Sequence, residues 1–167
     1  MASTLTVDNI VGATSSDKIH IPGHVVQVVE ATGLSASAIS TTSTSFVDAT
    51  GYSITITPTS TTSKILLFAQ LNMQQEGANQ ANARGYVNWS LSNNTELYRN
   101  FIGSYDNGAT NHNMYQSVNM QVIHSPATTS ATTYKIRIAT DTASNICRIM
   151  GGNGDNQNSL IAMEIAQ

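Results

Sequence analysis

Apolar and polar residues alternate along most of this chain with a period of two, the period of a β-strand with one buried face. In residues 52–57, Ile54 and Ile56 share one face, hydroxyl side chains share the other, and Pro58 ends the run. The same one-sided pattern recurs in five further segments: Ile65, Leu67, Ala69, Leu71 and Met73; Val87, Trp89 and Leu91; Met114, Val118, Met120 and Val122; Tyr134, Ile136 and Ile138; and Ile161, Met163 and Ile165.

One segment departs from this alternation. Residues 24–29 read His-Val-Val-Gln-Val-Val, with apolar side chains on both faces, which is typical of a strand that is buried on both sides. Trp89 alternates with Val87 and Leu91, so we expect it in the core rather than in a sugar-binding platform.

The strands recur at short intervals, and no segment has a helical period of useful length. This pattern predicts an all-β fold, an antiparallel jelly-roll sandwich of about ten strands. Residues 2–23 hold few large apolar side chains and end at Pro22-Gly23. We therefore expect two parts: residues 1–23 as an extended N-terminal segment that anchors the protein to a larger structure, and residues 24–167 as the jelly-roll domain.

Composition supports this interpretation and excludes some partners. Only 10% of the residues are charged, against about 25% in ordinary soluble domains, and Ser, Thr and Asn make up about a third of the chain. The net charge is -3 and the basic residues are scattered, which argues against a nucleic-acid partner. No apolar run approaches the length of a membrane span, so we predict no membrane insertion. No secretory signal is visible, which predicts synthesis in a cytoplasm.

The sequence shows no arrangement typical of catalysis or of a cofactor site. His20 and His24 are separated by Pro22 and Gly23, so no helix presents both to a metal, and no Gly-x-Ser-x-Gly motif is present. We predict no catalytic residue, no metal and no cofactor. Cys147, the single cysteine, lies in a strand-like run and is expected to be a buried thiol.

Polar loops on a β scaffold are the natural place for binding. Three segments rich in Asn, Gly and Gln are expected to be long loops: residues 74–83, 104–113 and 151–158. In the second, Tyr105, Asn111 and His112 combine an aromatic face with short hydrogen-bonding groups. We predict these three residues as a receptor-binding site, with the loop at residues 74–83 as the alternative.

Two resemblances extend these expectations. Residues 46–58, 63–68, 89–94 and 158–165 resemble the early strands, the central hairpin and the last strand of the trimeric jelly roll in the tumour-necrosis-factor and complement globular-head superfamily. This resemblance implies a homotrimer. The apolar excess on the strand that carries Met114, Val118, Met120 and Val122 makes that strand the expected trimer seam.

The second resemblance concerns the two ends of the chain. Residues 3–10, 19–27 and 160–167 resemble structural proteins of tailed phages, especially marine ones. It implies a virion protein, a tail or head fibre or decoration protein, that attaches to other virion proteins through residues 2–23 and projects a jelly roll towards a bacterial surface glycan or protein. A glycan-binding adhesin module and a surface-glycan depolymerase remain the alternatives.

Overall fold

The computed structural model describes residues 22–77, 82–105, 112–151 and 157–167, which form ten β-strands and no helix. No segment of this described part is therefore a helix able to cross a membrane. The strands are β1 (Val25–Glu30), β2 (Ile39–Thr41), β3 (Val47–Ile56), β4 (Lys64–Gly77), β5 (Asn82–Leu91), β6 (Glu96–Tyr105), β7 (His112–His124), β8 (Thr132–Thr140), β9 (Ile146–Ile149) and β10 (Ser159–Ile165).

Two antiparallel sheets pack face to face. The first sheet has six strands in the order β1-β10-β4-β9-β2, and β7 pairs with the other edge of β4. The second sheet has four strands in the order β3-β8-β5-β6. The paths β1-β10-β4-β7 and β3-β8-β5-β6 are those of a jelly roll, in which strands distant in sequence become neighbours. The predicted fold class, an antiparallel jelly-roll sandwich of about ten strands, is confirmed.

The core lies between the sheets and consists of the inward side chains of alternate strand positions. Trp89 is fully buried at its centre, as its alternation predicted. Burial of this many large side chains is the main stabilising contribution to the sandwich. The largest fully buried members are Trp89, Tyr52, Tyr134, Ile56, Ile65, Leu67, Leu71, Met73, Ile102, Ile136, Ile138 and Ile149.

The predicted trimer seam needs a correction, because its side chains face the core of their own chain. Val118 and Met120 are only 3% and 2% exposed and belong to the core, and Val122 packs against it. Met114 lies on the same side of β7, four residues before Val118. The open face of β7 is the other one, where Tyr115 and Ile123 are exposed. The homotrimer itself stays a prediction.

The expectation for residues 24–29 is met on one face within the described part of the chain. There β1 is an edge strand that pairs with β10, and Val25 and Val28 on its other face are exposed. The last strand shows a related difference. Leu160 and Ala162 face the core, so Ile161, Met163 and Ile165 lie on the outer face of the sheet.

Two of the three predicted loops, residues 74–83 and 104–113, are shorter than the sequence indicated. Strand β4 continues to Gly77, β6 to Tyr105, and β7 starts at His112, so the ends of two predicted loops belong to strands. Of the proposed receptor-binding residues, Tyr105 is the last residue of β6, His112 is the first of β7, and Asn111 lies outside the described residues. Their role in binding stays a prediction.

The described chain joins the sheet immediately at its start. The Gly23 amide donates to the Ala166 carbonyl at 2.8 Å, and the Ala166 amide donates to the His24 carbonyl at 3.0 Å. The first described residues are therefore tied to the last strand. The anchoring role of residues 1–23 stays a prediction, because residues 1–21 lie outside the described part of the chain.

Candidate binding surface

Two of the polar links leave the same end of the sandwich. Gly77 pairs with His112, where β4 ends and β7 begins, and Asn82 pairs with Tyr105, where β5 begins and β6 ends. Links 78–81 and 106–111 connect these ends. Binding residues on a rigid scaffold are expected beside such links.

A group of polar side chains lies on the outer face of the six-stranded sheet next to this end. Strand register creates the group, because Gln74 pairs with Tyr115 on one side and with Arg148 on the other, while Asn72 pairs with Ser117. We call this group the amide–tyrosine cluster; its members are Asn72, Gln74, Asn113, Tyr115, Ser117 and Arg148.

Gln74 holds the cluster together. Its side-chain Nε2 donates to Asn113 Oδ1 at 3.2 Å and to the Tyr115 hydroxyl at 3.0 Å. Its Oε1 accepts from Arg148 Nη1 at 2.9 Å. Gln74 is only 5% exposed, so these bonds are protected from water and fix the side chains around it. The cluster is therefore arranged before any ligand arrives, which reduces the entropy cost of binding.

Arg148 brings a positive charge to the cluster, and its charge is partly balanced. Its Nη1 lies 2.9 Å from Glu76 Oε2, and both side chains are partly exposed. An exposed pair of this kind contributes little to stability, at most about 1 kcal/mol. Its effect is to orient the guanidinium towards Gln74 and to leave the surface close to neutral.

The second half of the cluster connects the sheet to the segment before β10. Ser117 Oγ donates to Asn72 Oδ1 at 2.6 Å, and Asn72 Nδ2 donates to the Gln157 carbonyl at 2.9 Å. The Asn72 amide donates to Asn158 Oδ1 at 2.8 Å. The predicted third loop, residues 151–158, is thus fastened at its C-terminal end beside the cluster.

Tyr115 is the most exposed large apolar side chain of the described residues, at 65%. A hollow of about 160 Å³ lies beside it and is lined by Asn72, Met73, Tyr115, Gln116, Ser117 and Met150. An exposed aromatic face next to fixed amides and hydroxyls suits a neutral, hydroxyl-rich ligand, since the ring contacts C–H groups and the amides exchange hydrogen bonds with hydroxyls.

Sequence reasoning found the neighbourhood of this cluster but missed most of its members. Asn113 lay in the predicted loop, whereas Tyr115 and Ser117 are the polar positions of the strand chosen for its apolar face. Their partners lie about 40 residues away on β4. Only the register of β4 with β7 and β9 brings them together, and no short-range signal in the sequence carries that information.

Glu164 serves the scaffold rather than this surface. Glu164 is fully buried and accepts from Gln27 Nε2 at 2.6 Å and from the amide and hydroxyl of Thr59, both at 2.8 Å. Burial acts to raise the pKa of Glu164, but hydrogen bonds from Ser63, Gln27 and Thr59 outweigh it and hold that pKa below its usual value.

Burial shifts the pKa of three further groups, Cys147, His124 and Tyr134, in the direction that favours the neutral form. The Cys147 thiol is buried as predicted, and burial raises its pKa to about 12 although it lies near the Tyr86 carbonyl. His124 Nδ1 lies 2.9 Å from the Tyr134 hydroxyl, and burial lowers the pKa of the imidazole. Burial likewise raises the pKa of Tyr134 to about 12. Within the described ranges, no three His, Cys, Asp or Glu side chains come together in a way that could hold a metal ion.

Comparison with known proteins gives structural neighbours only. No family model matches the chain, and no curated protein matches it. Among solved structures, it is similar to the VP2 subviral particle of infectious bursal disease virus, with 14% identity, a TM-score of 0.38, and coverage of 99% of this chain and 42% of that one. The Gx strain of the same virus gives 14% identity, a TM-score of 0.36, and coverage of 99% and 42%. The chain spans about two fifths of the length of these proteins.

Proposed function

We propose that this chain is a structural protein of a phage virion, a fibre or decoration protein that presents the amide–tyrosine cluster to a neutral glycan on the bacterial surface. The observation that carries the binding role is the arrangement of Gln74, which fixes Tyr115, Asn113 and Arg148 beside the polar links. A cluster held this way offers both a flat aromatic contact and oriented hydrogen-bonding groups, the two components of carbohydrate recognition.

The virion assignment is supported by the character of the chain rather than by any reaction chemistry. An all-strand scaffold with 10% charged residues derives its contacts from amides and hydroxyls, and the two chain ends resemble tailed-phage structural proteins. In this proposal residues 2–23 attach the protein to other virion proteins, and the sandwich assembles as a homotrimer. The protein is made in the host cytoplasm and resides in the virion.

Electron microscopy tests the virion assignment. Phage particles are incubated with a gold-labelled antibody raised against the purified full-length chain. We expect label at a regular position on the head or the tail. Particles that carry no label, from a phage whose genome encodes the chain, would contradict this assignment.

Glycan binding is tested by screening the purified chain against an array of bacterial capsular and O-antigen polysaccharides. For any polysaccharide bound, the variant Tyr115→Ala should weaken binding by about tenfold or more, because it removes the aromatic contact. Phe101→Ala is the matched control, since Phe101 is an exposed aromatic residue on the opposite sheet. Equal affinity of the Tyr115→Ala variant and the wild type would contradict binding at this cluster.

A further inference from the structure

The other end of the same outer face is apolar. One row of side chains crosses four strands: Val28 pairs with Met163, Met163 with Leu66, and Leu66 with Ile123. In the next row Ile161 pairs with Phe68. We call these six side chains the apolar band; they are Val28, Leu66, Phe68, Ile123, Ile161 and Met163.

The apolar band is open in the described part of the chain. Val28 and Ile123, at its two ends, are each 57% exposed, and the four side chains between them are partly buried. With strands about 4.8 Å apart, the band extends about 15 Å across the sheet. Soluble monomers rarely leave a continuous apolar patch of this kind uncovered, and such patches mark interaction sites.

We propose that the apolar band is covered by other copies of the same chain. This inference deepens the self-association in the proposed function, on which it rests, by naming the face through which the copies meet. Three observations favour a second copy as the occupant: the shape of the face, the placement of its charges, and its size.

The face has raised and recessed parts. A shallow hollow of about 470 Å³ is lined by Phe68, Ile161 and Met163 of the band and by neighbouring amides. Val28 and Ile123 lie in the adjacent row, on strands β1 and β7, and each is 57% exposed. An exposed side chain of one copy can therefore occupy the hollow of the next, a head-to-tail contact of the kind that closes into a ring.

The placement of charges around the band also favours a second copy as the occupant. Glu30 follows Val28 by two residues on β1 and pairs with Ile161, while Lys64 precedes Leu66 by two residues on β4 and pairs with Ile165. These opposite charges lie at opposite corners of the band. Neither side chain makes an ion pair or a hydrogen bond within the described residues. Glu30 of one copy can pair with Lys64 of the next, which gives the patch electrostatic complementarity to itself.

The size fits a stable contact. The rows from Lys64 to Gln70 span about 20 Å along the strands, and the four strands span about 15 to 20 Å across, on the order of 400 Å² in projection. Gln70, Asn119 and Gln121 border the band on the side of the amide–tyrosine cluster and would form the polar rim of an interface. The accessible surface of a face with side-chain relief exceeds its projected area, so together with this rim the contact approaches the about 800 Å² that a standard interface takes from each partner.

Native mass spectrometry and sedimentation of the full-length chain test the proposal. At about 10 µM we expect the wild type to be assembled, and both Ile123→Lys and Val28→Lys to be monomeric or to associate at least about 100-fold more weakly, because each would bury an unpaired charge. Phe101→Lys is the control: Phe101 is equally exposed, at 57%, on the outer face of the other sheet. That variant should assemble like the wild type.

The charge placement provides a second test. Lys64→Glu should weaken assembly by about fivefold to tenfold, and adding Glu30→Lys in the same chain should restore it, because the pair is re-formed with its signs exchanged. Thermal melting of each variant checks that it folds. We expect each variant to fold, because the substituted side chains are exposed.

The outcomes separate the face from the stoichiometry. An assembled Ile123→Lys variant with the wild-type mass would overturn the face and leave the trimer standing. A wild type of another stoichiometry that Ile123→Lys dissociates would overturn the trimer and keep the face. A wild type that is monomeric at about 100 µM would overturn both the trimer and the contact through the apolar band. Residues 1–21 would then be the segment to test as the cover of the band.

Discussion

The two outer faces of this sandwich have opposite surface chemistry. The outer face of the four-stranded sheet carries four of the chain's seven Lys and Arg residues: Arg84, Arg99, Lys135 and Arg137. The outer face of the six-stranded sheet carries the apolar band and the amide–tyrosine cluster. A charged face is suited to water, whereas an apolar face with an amide border is suited to contact with another molecule.

The charged face also protects its own aromatic residues. The Arg84 guanidinium lies 5.9 Å from the centre of the Phe101 ring, and the Arg99 guanidinium lies 4.8 Å from that of Phe46. Arg and Lys side chains cover apolar surface with their stems while the charge stays in water. No basic side chain covers the apolar band in this way among the described residues, since Lys64 lies only at its corner. The two faces therefore do not differ in the exposure of their apolar side chains. They differ in whether an Arg side chain lies over those side chains.

The largest expected effect separates the inner and outer faces of one strand. Met120→Asp should lower the free energy of unfolding by about 4 kcal/mol or more, because a carboxylate would replace a core side chain that is 2% exposed. Chemical denaturation monitored by tryptophan fluorescence measures this, since Trp89 is buried. Ile123→Lys, three residues along β7, should change the free energy of unfolding of the monomer by less than about 1 kcal/mol. Similar losses of unfolding free energy in the two variants would contradict the assignment of Met120 to the inner face and Ile123 to the outer face of β7.

A smaller effect compares two carboxylates, one buried in the six-stranded sheet and one exposed on the other. Glu164→Gln should cost about 2 to 3 kcal/mol at pH 7, because the charged acceptor of several hydrogen bonds is lost. The folded-state pKa of Glu164 lies below the unfolded value. Its contribution is therefore fully present above the unfolded pKa of about 4.5 and is lost as the pH falls through the folded value. In urea unfolding between pH 7 and pH 3, the difference in the free energy of unfolding between the wild type and the variant should become smaller as the pH falls.

Asp48 provides the contrast in the same pH series. Hydrogen bonds from Lys135 at 2.7 Å and from Arg137 at 2.9 Å hold its pKa below the usual value, although partial burial acts against them. The Asp48 side chain is 52% exposed, so solvent screens these pairs and Asp48→Asn should cost less than about 1 kcal/mol. A loss equal to that of Glu164→Gln would show that the charged face stabilises the sandwich more than its exposure implies.

The smallest effect is the response to salt. About 1 M sodium chloride should reduce the stability contribution of the Asp48 pairs by at most a few tenths of a kcal/mol, since exposed charges are screened at that concentration. Association through the apolar band should not weaken by more than about threefold, because burial of apolar surface does not depend on screening. Sedimentation at low and high salt measures the second quantity. Dissociation on adding salt would indicate that charges, and not the band, hold the copies together.

Much of the fold could be predicted from alternation alone. The strands that contain Ile65, Val87 and Tyr134 have their predicted residues in the core, and Trp89 is at its centre. The candidate sites were less accessible to this reasoning. Met114, Val118, Met120 and Val122 were correctly grouped on one face, but the interpretation placed that face outside. Ile161, Met163 and Ile165 were also grouped correctly, and they lie on the outer face of the sheet.

The sequence by itself determined which side chains share a face, because side chains alternate along a strand whatever surrounds it. The tertiary structure decided which of the two faces turns inward, because that choice depends on the sheet packed opposite and on strands distant in the chain. Val28, Leu66 and Ile123 form one row only because β1, β10, β4 and β7 are neighbours in space, and Gln74 meets Tyr115 for the same reason. Strand register is set by the whole sandwich, so surfaces built across strands cannot be read from local pattern.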